Sequence, residues 1–269
     1  MELPVPVVQS QDVKIFFEDS GVGPPVVLGH SFLCSGEMWR EQVQALHATF
    51  RVVNPDLRGH GRSSHVTRSF SLYDALSDVI AVLDHLRIER AIWCGLSIGG
   101  MVALRAALSH PDRVAALVLL DTDAGPETQL RKLKYHAMGV GARVLGIRPF
   151  LPSITQLMFG ATTRRQNPTL VTEWKGRFAS AHVPSILRCL AALMTRDSLL
   201  GRLDRIEAPA LVLVGAEDRS LPAPFSRRIH DRLRHSTFSL IPAAGHLSAL
   251  EQPAAVTDAI LGFLTAHTP

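Results

Sequence analysis

Short runs of β-branched and aliphatic residues recur along the chain. They predict strands over Val13–Glu18, Val26–His30, Arg51–Asn54, Ala91–Gly95, Val114–Asp121, Ala210–Gly215 and Thr237–Pro242. From Val26 onward most runs are continuous instead of alternating, which is typical of parallel strands covered on both faces. Amphipathic stretches between the runs predict helices, among them Ser71–Arg87, Ile98–Ser109 and Pro253–Thr265. This alternation predicts an α/β fold, a mostly parallel sheet with helices on both faces.

The alternation of strands and helices stops after Leu120. About 80 residues follow that have helical character, several Gly and Pro residues and no strand-like run, until Ala210–Gly215 resumes the sheet. A structureless loop of that length is uncommon in a compact domain. We therefore predict a core domain formed by residues 1–123 and 201–269, with residues 124–200 inserted as a helical cap.

A glycine-rich turn joins a predicted strand to a predicted helix. The residues Gly95-Leu96-Ser97-Ile98-Gly99 have the pattern G-x-S-x-G. In such a turn a serine hydroxyl projects above the sheet from a strained backbone, and the glycines remove side chains that would collide. The helix that follows points its N-terminal N–H groups at a developing oxyanion. Ser97 is the candidate nucleophile, and the alternative is a passive serine in a glycine-rich turn.

A serine hydroxyl needs a base to become a useful nucleophile. Of the 12 histidines, His246 lies just past the last predicted strand and before the last predicted helix. Loops at the carboxyl ends of parallel strands are where such sheets build their sites. His246 is therefore the candidate base. His60, on another such loop, is expected to be structural, and His30, at a strand end, is expected to be a neighbour of the site.

The base in turn needs a carboxylate that fixes its tautomer. Asp218 follows the strand Ala210–Gly215 and precedes His246 by 28 residues, which makes it the candidate acid. The alternatives at strand ends are Glu217, Asp121 and Asp123.

Composition narrows the class of protein. The chain has 269 residues, 46% of them hydrophobic and 19% charged, as in ordinary globular proteins. No apolar run reaches the roughly 18 residues of a membrane span, and no secretory signal precedes the first strand. Three widely separated cysteines do not form a disulfide framework or a metal site, which suits the cytoplasm. We expect no membrane partner, no metal and no cofactor.

The net charge of +4 is unevenly distributed. The segment from Pro126 to Leu200 holds 11 Lys and Arg residues against 3 Asp and Glu residues, among the basic ones Arg131, Lys132, Lys134, Arg164 and Arg165. Two interpretations stay open: a solvated surface of the cap, or a positive lining that attracts an anionic substrate. A nucleic-acid partner is not expected, because no basic stripe is interleaved with aromatic residues.

The order Ser97, Asp218, His246, with the serine in a G-x-S-x-G turn, resembles the α/β-hydrolase fold superfamily over nearly the whole chain. The loop Asp56-Leu57-Arg58-Gly59-His60-Gly61-Arg62-Ser63 matches its D-x-R-G-x-G-x-S pattern, and Gly245-His246-Leu247 with Glu251-Gln252-Pro253 matches its histidine loop. The resemblance implies eight strands, with the cap inserted after the sixth. It also implies an oxyanion hole formed by the backbone N–H groups of Phe32 and Ile98.

One detail of the resemblance is narrower. This chain has His30-Ser31 where the family usually has His-Gly. The serine there, with Met38-Trp39 and Arg196-Asp197, resembles 3-oxoadipate enol-lactonases and small carboxylesterases.

We therefore expect a serine hydrolase that cleaves a carboxylic ester or lactone of a small molecule through an acyl-enzyme. The alternatives are a C–C bond hydrolase, a cofactor-free perhydrolase, and a ligand receptor that keeps the fold without turnover. Nothing in the sequence indicates an oligomeric state.

Overall fold

The computed structural model describes residues 6–267, and one sheet of eight strands organises them. The strands are β1 (Val7–Ser10), β2 (Val13–Ser20), β3 (Pro25–Gly29), β4 (Arg51–Pro55), β5 (Ala91–Leu96), β6 (Val114–Leu120), β7 (Ala210–Gly215) and β8 (Ser236–Ile241). Their order is β1-β2-β4-β3-β5-β6-β7-β8, and only the pairs β1–β2 and β2–β4 are antiparallel within the described residues. The predicted mostly parallel eight-stranded sheet is confirmed.

Eleven α-helices complete the described part of the chain. They are α1 (Arg40–Leu46), α2 (Leu72–His85), α3 (Ile98–Ser109), α4 (Gln129–Leu145), α5 (Leu151–Met158), α6 (Ala161–Gln166), α7 (Pro168–Ala179), α8 (Val183–Met194), α9 (Ala223–His230), α10 (Ser248–Glu251) and α11 (Pro253–His267). None of these helices is long and apolar enough to cross a membrane.

The sheet carries helices on both faces, as predicted. Successive strand side chains point to opposite faces, so that Val27 and Trp93 join one hydrophobic core and Val26 and Ile92 join the other. The first core is closed by α2, α3 and α9, and the second by α1 and α11. Strands buried on both faces require the continuous apolar runs seen in the sequence.

Helices α4–α8 all fall between β6 and β7, where no strand interrupts them in the described chain. The alternation of the sheet resumes at β7. The helical character of this segment is therefore present, and its assignment to a separate cap domain stays a prediction.

Candidate active site

The backbone at Ser97 is strained. Ser97 lies between β5 and α3 with φ of 57° and ψ of −114°, in a region that residues with a Cβ rarely adopt. Its N–H donates to the carbonyl of Leu120 at the end of β6. The side chain is held at the carboxyl edge of the sheet, where the G-x-S-x-G turn was expected to place it.

Glycines make this turn possible. A Cβ on Gly99 would lie 2.1 Å from the carbonyl oxygen of Gly29, and one on Gly95 would lie 2.3 Å from the carbonyl carbon of Gly99. No side chain fits at such distances. The close approach of β3, β5 and α3 therefore explains both glycines of the motif.

His246 and Asp218 meet across two neighbouring loops. The Nδ1 atom of His246, after β8, lies 2.9 Å from Oδ2 of Asp218, after β7, and both residues are buried. The other carboxylate oxygen of Asp218 accepts the N–H groups of Ser220 at 2.7 Å and Leu221 at 2.9 Å. A carboxylate at Nδ1 favours the tautomer that carries its proton there, which leaves Nε2 able to accept one.

Glu251 holds the loop on which His246 lies. Its carboxylate accepts the N–H groups of Gly245 at 2.9 Å and Leu247 at 3.2 Å, the residues on either side of His246. It also accepts the N–H of Gly160 at 2.8 Å, which joins this loop to the segment between α5 and α6. The sequence placed Glu251 only in a loop motif and did not indicate this positioning role.

Opposing effects act on the pKa of His246. Burial lowers the pKa, and the adjacent carboxylate of Asp218 raises it by charge and by hydrogen bonding. The net result is a pKa above the ordinary histidine value.

The alternative carboxylates have other partners. Asp121, at the end of β6, accepts the N–H of Gly215 and the hydroxyl of Ser248, while burial and the nearby Asp218 raise its pKa well above the usual range. Asp123 pairs with Arg196 and Arg228, each at 3.2 Å. Glu217 accepts the N–H and hydroxyl of Thr162. Asp218 is thus the one of the four candidates that hydrogen-bonds His246 in the described structure.

His30 and His60 are buried next to each other, with their ring centres 5.2 Å apart, where the loops after β3 and β4 meet. Nε2 of His30 accepts the N–H of Leu57 at 2.8 Å, and its Nδ1 donates to the carbonyl of Ser31 at 2.7 Å. Burial lowers the pKa of His30 to about 4 and that of His60 to about 3. Both rings are therefore neutral at physiological pH.

The D-x-R-G-x-G-x-S loop is also structural. Asp56 accepts the N–H groups of Gly36 at 2.7 Å and Arg62 at 2.8 Å, and Arg58 forms a buried ion pair with Asp78 at 2.6 Å. These contacts tie the loop after β4 to α2 and to the loop after β3.

Phe32 and Ile98, the proposed oxyanion donors, come from two different elements. Ile98 is the first residue of α3, so its N–H has no acceptor within the helix. Phe32 follows β3 and precedes Leu33, which turns the chain with a φ of 65°. Phe32 lines the same cavity as Ser97 and His246.

That cavity has a volume of about 140 Å³ and a mostly apolar wall. Helices α4, α5 and α8 supply much of it, including Tyr135, Met138, Ile154, Leu157, Ile186 and Leu190. A substrate that reaches Ser97 would therefore place an apolar group against these helices.

Three charged side chains interrupt the apolar wall: Glu127, Arg131 and Arg196. Glu127 lies 3.0 Å from Nε of Arg131 and 3.3 Å from Nη1 of Arg196, and Arg196 also pairs with Asp123. Of the five basic cap residues named from the sequence, Arg131 is the one that lines this cavity among the described residues. The sequence singled out Arg131 and Arg196 separately but gave no sign of Glu127 or of the contact between the three.

Comparison with known proteins defines the family. A family model described as the alpha/beta hydrolase fold matches residues 24–253. The chain belongs to the alpha/beta hydrolase fold family. The expected membership is confirmed, and the strand–turn–helix at Ser97 lies within the matched residues.

Sequence relatives and solved structures both align along nearly the whole of this alpha/beta hydrolase. It is 28% identical to 3-oxoadipate enol-lactonase 2 of Acinetobacter baylyi, over 93% of each chain. Among solved structures it resembles a thermophilic esterase from Thermogutta terrifontis, with 31% identity, a TM-score of 0.91 and 95% of each chain covered. It also resembles the enol-lactonase from Burkholderia xenovorans, with 26% identity, a TM-score of 0.90 and coverage of 97% of this chain and 100% of that one.

Within residues 6–267 of this alpha/beta hydrolase, no group of three or more His, Cys, Asp and Glu side chains is placed to hold a metal ion.

Proposed function

We propose that this hydrolase cleaves carboxylic esters or lactones of small molecules through an acyl-enzyme on Ser97. The observation that carries the proposal is the 2.9 Å hydrogen bond between His246 and Asp218, beside a cavity that Ser97 and His246 both line. The names of the relatives, an enol-lactonase and an esterase, support the same chemistry.

In the first half-reaction, Nε2 of His246 takes the proton of the Ser97 hydroxyl while Oγ attacks the carbonyl carbon. The resulting oxyanion is stabilised by the N–H groups of Phe32 and Ile98, the latter at the positive end of α3. Collapse of this intermediate expels the alkoxide, which takes the proton from His246. The products of this step are the acyl-enzyme and an alcohol, which for a lactone stays attached to the acyl group.

In the second half-reaction, His246 takes a proton from water, and the hydroxide attacks the acyl-enzyme carbonyl. The carboxylate of Asp218 stabilises the imidazolium form of His246 in both steps. Collapse returns the proton to Ser97 and releases a carboxylic acid.

In this proposal the segment 124–200 is a cap over a core formed by residues 1–123 and 201–269. Helices α4, α5 and α8 contribute the apolar wall of the cavity, and the core contributes Ser97, Asp218 and His246. The shape of the acyl or alcohol group is therefore selected by the cap and the chemistry is performed by the core.

A substrate panel tests the proposal. We would measure the turnover of p-nitrophenyl esters of increasing chain length, of five- and six-membered lactones, of a vinylogous diketone, and of acetate with peroxide. We expect esters or lactones to be hydrolysed, and Ser97→Ala to lower kcat by about 10³-fold or more. Ser77→Ala, which changes an exposed serine on α2, is the matched control and should keep wild-type turnover.

Three outcomes would contradict the proposal. Cleavage of the diketone alone would show that the site hydrolyses C–C bonds, and formation of peracid alone would show that it catalyses perhydrolysis. Stoichiometric acylation without release of acid would indicate a receptor.

A further inference from the structure

The outward face of α4 is apolar and exposed. Within the described residues, five of the nine exposed large hydrophobic side chains lie on this one helix: Leu130, Leu133, Val140, Val144 and Leu145, each 53–79% exposed. Leu130, Leu133, Ala137, Val140 and Val144 follow one another at intervals of three and four residues, which aligns them along a single stripe.

The opposite face of α4 serves the active-site cavity. Tyr135, Met138 and Ala142 line that cavity, and no residue of the helix is fully buried. The helix is thus apolar on two sides. The active-site cavity accounts for the inner side, whereas the outer side stays exposed, with Leu133 and Val140 at the edge of a surface groove shared with α8. Exposed apolar surface of this kind marks an interaction site.

The charges around the outward stripe are all of one sign. The helix Gln129–Leu145 contains no Asp or Glu, and Lys134 and Arg143 are exposed beside the stripe, with Lys132 partly so. Within residues 6–267 none of these three cations forms an ion pair with a carboxylate. Their charges are therefore available to an external anionic partner.

This charge pattern disfavours a second copy of the chain as the occupant. Two such helices packed along their stripes would bring Lys134, His136 and Arg143 of both copies next to the interface, with no acidic residue of either helix to balance them. An anionic lipid surface, in contrast, accepts the apolar stripe among its acyl chains and the flanking cations among its headgroups.

We propose that α4 docks its outward face on an anionic lipid surface and lies in the plane of the interface. This proposal departs from the expectation of no membrane partner, which rested on the lack of a spanning segment. A helix that lies on a surface needs no such segment. The proposal is independent of the reaction assigned to Ser97.

Vesicle flotation tests the proposal with the full chain. We expect the wild-type protein to float with vesicles of phosphatidylcholine and phosphatidylglycerol and to bind pure phosphatidylcholine vesicles more weakly. Leu133→Gln/Val144→Gln should lower the partition coefficient by about tenfold or more, because two exposed apolar side chains are lost. The matched control is Val22→Gln, which removes an equally exposed valine (77%) from the turn before β3.

Folding and self-association are measured on the same samples. Thermal melts of all variants should coincide, since the substituted side chains are exposed, and light scattering should show monomers. Equal flotation of the wild type, the α4 variant and the Val22 variant would overturn the proposal. A wild-type dimer that dissociates in the α4 variant, without vesicle binding, would also overturn it and assign the face to a second copy.

Discussion

Glu127 sets the charge of the cavity that contains Ser97. Its carboxylate lies 3.0 Å from Arg131 and 3.3 Å from Arg196, and all three side chains line the cavity. Glu127→Gln keeps the size of the side chain and one acceptor oxygen but removes the negative charge. In the wild type the carboxylates of Glu127 and Asp123 balance the guanidinium groups of Arg131 and Arg196, so the variant leaves this cluster with one uncompensated positive charge.

The size of the effect follows from Coulomb's law. A substrate carboxylate about 6 Å from the altered group gains about 3 kcal/mol at an effective dielectric constant of about 20, or about 100-fold in binding. Rearrangement of the guanidinium groups will absorb part of this gain, so we expect a change of about tenfold or more. The loss of one partner from a buried ion pair lowers stability by about 3–5 kcal/mol, which a folded protein of about 5–15 kcal/mol can tolerate.

The assay compares two p-nitrophenyl esters, the neutral hexanoate and the half-ester of adipic acid, which carries a terminal carboxylate. We expect wild-type kcat/KM to favour the neutral ester, and Glu127→Gln to raise the ratio of anionic to neutral kcat/KM by about tenfold or more. Added salt should reduce this gain. Glu173→Gln removes an exposed carboxylate that pairs with Arg177 on α7, and it should leave the ratio unchanged.

An unchanged ratio in Glu127→Gln, measured in a folded protein, would refute this account of the cavity. A wild-type preference for the half-ester would refute it as well. That result would support the other interpretation of the basic segment, in which its positive charge attracts an anionic substrate.

Three further predictions concern the catalytic groups and the turn that holds them. Asp218→Asn should lower kcat by about 10⁴-fold, because the histidine loses its carboxylate partner. Asp123→Asn loses only its arginine contacts and should lower kcat less than about tenfold. The reverse order of effects would assign the catalytic acid to the residue after β6. In a pH titration, kcat/KM should rise with pH through a single ionisation above the ordinary histidine value, because only neutral His246 accepts the serine proton. In Asp218→Asn that ionisation should move to lower pH, since burial persists without the carboxylate, and a profile that is flat from about pH 5 to 9 would exclude a histidine base. Gly99→Ala should lower the Tm and the activity, because its Cβ would lie 2.1 Å from the Gly29 carbonyl oxygen. Gly262→Ala is the control, since a Cβ there meets open space, and it should not lower the Tm. Equal Tm values for the two variants would contradict the packing described for Gly99.

Residues within short motifs could be placed from the sequence. A G-x-S-x-G turn must follow a strand and open a helix, so local pattern was enough to locate Ser97 between β5 and α3. His246 and Asp218 were placed by strand ends, and the hydrogen bond between them agrees with that placement. The distinction between Asp218 and Asp121 needed three dimensions, because both residues end neighbouring strands and both are buried.

Features built from distant residues could not be predicted. Glu127, just before α4, and Arg196, just after α8, are 69 residues apart and come together where these two helices pack. Strand β1 has four residues and pairs with β2 alone, so its pattern is too short to stand out. The sequence predicted helical character for this segment but not which side of α4 stays exposed, because that depends on how α4 packs against α8.

The role of Ser97 as nucleophile is tested most directly by covalent labelling with a fluorophosphonate, read by intact mass and by mapping the modified peptide. We expect one adduct per chain, on Ser97, with ester hydrolysis lost in proportion to labelling. Ser97→Ala should take up no label, and Ser77→Ala should react like the wild type. An adduct on any other residue, or full hydrolysis by a protein that no longer reacts, would contradict the assignment of Ser97 as the nucleophile.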